Sequence, residues 1–142
     1  DFATSLTEHE LASSRETLRK AFDAEVDAFD PHIVHAQHVW LLAHMALEAG
    51  VPYVLTAWGE ELTAAETDPR YRQLAQEAAE NAGRIFVGSP KLRDEVHRVF
   101  GELDHHVVVA CPEAETTAAC ADTLVAAYRE VLVARFGTDI RP

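Results

Sequence analysis

"HIVHAQHVWLLAHMALEAGVPYVLTAW", residues 32–58, decides the fold. "HIVHAQ" is short and partly β-branched, which suits a strand. "VWLLAHMALEAG" spaces its apolar residues as a helix does, and Gly50 stands where glycine closes helices. "PYVLTAW" is a second, nearly continuous apolar run. Two such strands joined through a helix by short connections form a βαβ unit, and strands of that kind pair in parallel.

The same alternation extends both ways. Upstream, Leu6, Leu11, Leu18, Phe22, Val26 and Phe29 share one helical face over residues 5–29, and Thr7 with Glu10 makes a capping-box pattern. "FDP" stops that helix, because the residue before proline avoids the helical region. Downstream, "GEEL" reads as a loop or a short helical turn. "DPRYRQLAQEAAENAG" is a helix with Pro69 at its start and Gly83 just past its end. "RIFVGS" is a third strand, and "PKLRDEVHRVFG" a helix with Ser89 as N-cap and Pro90 in its first turn. "HHVVVAC" is a fourth strand and "DTLVAAYREVLVARFG" a long closing helix, placed over residues 115–137. The expectation is α/β: a Rossmann-like three-layer α/β/α fold with a mainly parallel sheet of about four strands and a long C-terminal helix. Residues 1–142 read as a single domain.

Composition bounds the function. With 48% hydrophobic and 25% charged residues, a chain of 142 is an ordinary globular sequence with one core. Its 24 acidic against 12 basic side chains, net −12, argue against nucleic acid as a partner, which calls for clustered lysine and arginine. Lys20 and Lys91 are the only lysines, and scarce lysine with abundant alanine, valine and arginine fits a GC-rich bacterial genome. No apolar run is long enough to span a bilayer and no leader pattern stands at the start, so a cytoplasmic protein is expected. Nothing in the sequence calls for or against contact with a membrane surface. The chain begins at Asp1, which reads as a processed or excised piece. Cys111 and Cys120, without a secretory signal, are expected to be reduced thiols, with a bridge between them as the lesser alternative that geometry allows. G-x-S-x-G, P-loop and G-x-G-x-x-G motifs are all missing, so those nucleophile and nucleotide classes have no foothold.

Ligands of open α/β sheets bind beyond the carboxyl ends of the strands. Here those ends are residues 35–38, 58–61, 89–91 and 111–113. Four histidines crowd the first of them and its flanks: His32, His35, His38 and His44. His32 stands at the wrong end of its strand for a ligand, and His44 reads as a partly buried surface residue of the helix. A zinc site would need further ligands converging from elsewhere, so no metal is expected.

Taken as an ordered set, "FDPHIVHAQHVWLLAHMALEAGVPYVLTAWGEEL" followed by "AENAGRIFVGSPKLRDEVHRVFG" resembles the amino-terminal domain of GT-B glycosyltransferases of family 4. The shared pattern runs "vvHah", a helix, "giPyvlt-HG-el", then "ad-ii-vS--l---l---fG", over roughly residues 25 to 110. The last helix resembles the one that in such enzymes packs back on the amino-terminal domain. Trp58 stands where the family usually has histidine. The family's first strand and its nucleotide-sugar domain have no counterpart in the sequence, so the chain is expected to be inactive alone.

What the resemblance implies is the acceptor side of a retaining transfer, from a nucleotide diphosphate sugar to a hydroxyl acceptor, with no metal and no other cofactor. His38 is the candidate catalytic group and His35 an acceptor contact through imidazole. Trp58 offers an aromatic face to a pyranose, Gly59 close backbone approach, and Glu60 and Glu61 carboxylates for sugar hydroxyls. Each has a plainer alternative: strand-end capping for the histidines, a hydrophobic plug for Trp58, and carboxylates favouring a helix start for Glu60 and Glu61. Ser89 and Lys91 would lie near the donor phosphates, or serve only as a helix cap and a solvated charge. The rival class is a non-catalytic Rossmann-like binding module. In it "HIVHAQ", left at the sheet edge, pairs with a second copy as a homodimer.

Overall fold

The computed structural model describes residues 7–103, 106–110 and 116–137. Elements follow in the order α1 (Glu8–Phe29), β1 (Val34–Ala36), α2 (Leu41–Ala49), β2 (Tyr53–Thr56), α3 (Gly59–Thr67), α4 (Pro69–Asn81), β3 (Ile85–Val87), α5 (Pro90–Phe100), β4 (Val107–Val109) and α6 (Thr117–Phe136). Ser5, Leu6, Cys111 and Glu113, to which the sequence reading assigned places, lie outside the described residues.

Local signals set most boundaries. The Thr7 hydroxyl accepts from the Glu10 N–H and the Glu10 carboxylate accepts from the Thr7 N–H, so the capping box forms. Asp30 ends α1 in the left-handed region, with φ 49°, one residue before Pro31. Gly50 closes α2 at φ 70°. Asp68 caps α4 through the Arg70 N–H, and Ser89 caps α5 through the Leu92 N–H.

The four strands lie in the order β1-β2-β3-β4, each parallel to the next, with Val34 opposite Tyr53, Leu55 opposite Ile85 and Val87 opposite Val109. Each crossover therefore steps in the same direction. Right-handed connections that never reverse put every crossover helix on one face. Ala36, Tyr53, Leu55, Ile85 and Val87 accordingly join side chains of α2, α3, α4 and α5 in the main core. The opposite face, carrying Val54, Phe86 and Ala110, is covered by Ala127 and Val131 of α6. That makes the three layers, a four-stranded parallel sheet between a helical layer and one long closing helix.

Two local expectations are corrected and a third gains its reason. "GEEL" begins a nine-residue helix, α3, rather than a loop or single turn, because Glu61 at its third position caps it from within. Gly83 stands just past the end of α4 as expected, with Ala82 ending the helix in an extended conformation and no positive φ at the glycine. A Cβ on Gly83 would stand 2.6 Å from Val131 Cγ2, so the glycine is there to let α6 approach. Cys120 is disulfide-bonded, not a reduced thiol.

α1 sits outside the main layer. None of its residues is buried, and Arg15 and Arg19 bind Glu48 of α2 at 3.0 and 2.6 Å. His44, expected as a partly buried surface residue, is only 6% exposed. Its Nε2 lies 2.9 Å from Glu77 Oε2 and its Nδ1 3.4 Å from Arg15 Nη2, so it ties α1, α2 and α4. Its place is structural. Among the described residues no helix is long and apolar enough to cross a membrane.

Candidate active site at the carboxyl ends of the strands

Parallel strands point their carboxyl ends at the starts of the following helices, so side chains and free N–H groups gather there. From β1 the chain turns through Gln37 and His38, both exposed. From β2 it passes Trp58 into α3, and from β3 it passes Gly88 and Ser89 into α5.

The defining pair is His38 and Glu61. Glu61 is 5% exposed, one of two buried polar or charged residues among the described chain. One carboxylate oxygen accepts the Trp58 N–H at 2.7 Å, the return half of a capping box that no tryptophan side chain can complete. The other lies 3.3 Å from His38 Nδ1. A carboxylate only accepts, so Nδ1 donates, and in the neutral ring the lone pair then lies on Nε2. The His38 side chain is 66% exposed, so that lone pair is offered to solvent.

Two hollows adjoin this pair, and Gln37 lines both. One, of about 270 Å³, has Trp58, Thr56, Phe86, Gly88 and Leu124 in its wall. The second, of about 360 Å³, has His38, Glu61, Trp40 and Tyr71. A roomier hollow of about 480 Å³ lies at the opposite end of the sheet, beside the Arg84–Glu130 pair, where helices end rather than begin. It lacks the converging helix starts that make the carboxyl edge a binding place.

Residues 5–112 match the model of a glycosyl transferase 4-like domain. The chain belongs to that family. No curated protein and no solved structure matches it. Membership gives the glycosyl transferase 4-like domain a role in glycosyl transfer, with a sugar donor and an acceptor in general terms.

The sequence-derived candidates distribute unevenly over the domain's carboxyl edge. Trp58, 50% exposed, presents its ring to the smaller hollow. Glu60 is exposed in the first turn of α3 and lines the larger one. Gly59 has neither a positive φ nor any atom within 4 Å of an added Cβ, so glycine is not required there by the backbone. His35 is drawn inward: Nδ1 meets Tyr128 Oη at 2.6 Å and Nε2 meets Thr56 Oγ1 at 2.8 Å. Burial lowers its pKa, and both ring nitrogens are engaged in tying β1, β2 and α6 together. The Ser89 hydroxyl is occupied as a cap, and Lys91 reaches outward to within 3.8 Å of Glu95. The four histidines thus diverge, and among the described residues no three histidine, cysteine, aspartate or glutamate side chains converge as a metal site.

Sequence reading missed Gln37, Tyr71 and Tyr128. Gln37 had a signal, lying between two candidate histidines at a strand end. The tyrosines had none, because α4 and α6 reach the site only through the tertiary packing.

Proposed function

We propose that the chain forms, as a single domain, the acceptor side of a retaining glycosyltransferase that moves a sugar from a nucleotide diphosphate sugar to a hydroxyl acceptor. The observation that carries this is His38, held by a buried carboxylate at the carboxyl edge with Nε2 exposed. In the transfer, Nε2 takes the proton of the acceptor hydroxyl as its oxygen bonds to the sugar's anomeric carbon on the face from which the diphosphate departs, which keeps the configuration. The bond from that carbon to the diphosphate breaks, and the nucleoside diphosphate leaves with the electron pair. Glu61 positions the imidazole. Trp58 supports the apolar face of a pyranose, with Gln37 and Glu60 as partners for hydroxyls beside Gly59. His35 shapes the wall through Thr56 and Tyr128. Ser89 and Lys91, at the start of α5, form the side nearest the donor phosphates, where backbone N–H groups favour an anion. With Trp58 and His38 this exposed, water is excluded only when a second wall, bearing the nucleotide pocket, closes over the edge. Turnover by this chain alone is not expected.

In the intact enzyme, His38→Gln should lower kcat about 100-fold, the lower end of what a positioned base supplies, with thermal stability unchanged. Unchanged kcat would refute the role. Calorimetric titration of this chain with UDP or GDP should give no micromolar binding, and such heat would place the donor site here instead.

One observation favours a second reading, a self-associating module. The Val34 N–H donates to Pro52 O, so the alternating backbone groups of Ile33 and His35 point out from the sheet edge. Light scattering decides it, since a monomer at high concentration leaves no role for that edge.

A further inference from the structure

We infer that the 360 Å³ hollow beside His38 is the subsite for the acceptor's body, and that it takes a neutral alcohol with an apolar skeleton, not a phosphorylated or otherwise anionic acceptor. The inference rests on the acceptor-side reading above and names the substrate class of that site.

Its floor is an aromatic pair: Trp40 and Tyr71 stack with ring centroids 4.3 Å apart and an interplanar angle of 22°. Tyr71 is only 6% exposed, yet its hydroxyl makes no hydrogen bond to the described residues and the ring lines the hollow. Solvent still reaches that hydroxyl, so a ligand oxygen would replace water on it, and the buried donor left without a partner in this wall is the Trp40 indole N–H. Burial, and then the Glu61 carboxylate, push the phenol's pKa well above its ordinary value, so the group stays protonated and donates. Leu18 of α1 and Leu42 of α2 stand in the wall, 40% and 48% exposed. They leave apolar surface for an alkyl or ring skeleton to cover.

Charge settles the class. The charged residues of the wall are Glu60 and Glu61, with no lysine or arginine among the lining residues. An anion seated here would face Glu61, itself buried, with no cation to offset it. A neutral hydroxyl meets Tyr71, Gln37 and His38 without that repulsion.

The probes are 1-octanol and octyl phosphate, each below its micellar concentration, titrated calorimetrically into this chain. Octanol should bind, and octyl phosphate at least tenfold more weakly. Tyr71→Phe, which keeps the stacked ring, should weaken octanol about fivefold. Leu42→Gln, on an exposed position that folding tolerates, should weaken it as well. No heat with octanol, equal or tighter binding of octyl phosphate, or indifference to both substitutions overturns the inference. His38→Gln separates the two readings. Octanol binding retained alongside unchanged turnover would remove the catalytic role of His38 and keep this subsite. Absent octanol binding with turnover still dependent on His38 would do the reverse.

Discussion

Gly83→Ala is the substitution that probes most directly how α6 is seated. The added Cβ would stand 2.6 and 2.7 Å from the two γ-carbons of Val131 and 3.2 Å from Tyr53 O. Ordinary contact begins near 3.4 Å, so α6 must withdraw by about 0.8 Å or Val131 must leave its rotamer. Valine on a helix has essentially one χ1 well, which makes the second escape expensive. Overpacking of this kind costs about 1–3 kcal/mol. Gly83 has no positive φ, so alanine fits its backbone and restricts the unfolded chain, returning about 0.4–1 kcal/mol. The net is about 1–2 kcal/mol of destabilisation, a fall of about 3–6 °C in Tm for a domain of this size. Differential scanning calorimetry gives the value. Adding Val131→Ala removes both offending methyl groups, so the double variant should be more stable than the sum of the single effects by about 1 kcal/mol. An unchanged Tm for Gly83→Ala, or strict additivity in the cycle, would refute the argument that this glycine admits α6.

Two further outcomes follow from buried polar contacts. The Tyr53 hydroxyl, buried, donates at 2.6 Å to Ala78 O in the last turn of α4, so Tyr53→Phe should cost about 1–2 kcal/mol in urea unfolding with the m value unchanged. Burial holds the His35 pKa below its ordinary 6.5 in the folded state, so the unfolded chain binds the proton more readily. That contribution to stability is complete above about pH 6.5 and is lost as pH falls from there through the lowered folded value. His35→Gln should therefore flatten the Tm profile between about pH 7 and 5. A variant profile with the wild-type slope would show that other groups produce the dependence.

The candidate site was half legible in the sequence. His38, Trp58 and Glu61 stand at strand ends, and strand ends were readable from apolar runs and punctuation. What could not be read was direction. His35 and His38 are three residues apart, yet one turns inward to Tyr128 and Thr56 and the other outward beside Glu61. The two sit on opposite sides of a turn whose course is set by what packs against it. Ser89 showed the opposite limit, since its hydroxyl was readable as a cap and the structure uses it as one.

Local sequence by itself determined the elements: the Thr7–Glu10 box, the glycine stop at residue 50, the Asp68 and Ser89 caps, and the apolar strands that must be buried in a parallel sheet. Each depends on groups within about four residues of one another, where the covalent chain already fixes the distance. Only the tertiary structure decided that every crossover helix shares one face and that, among the described residues, α6 covers the other. It also decided that Gly83 serves packing, that His44 is an interior tie, and that Tyr71 leaves a hydroxyl open beside His38. Those depend on which surfaces meet across the sheet, and burial of the largest apolar area selects that arrangement for the whole chain at once.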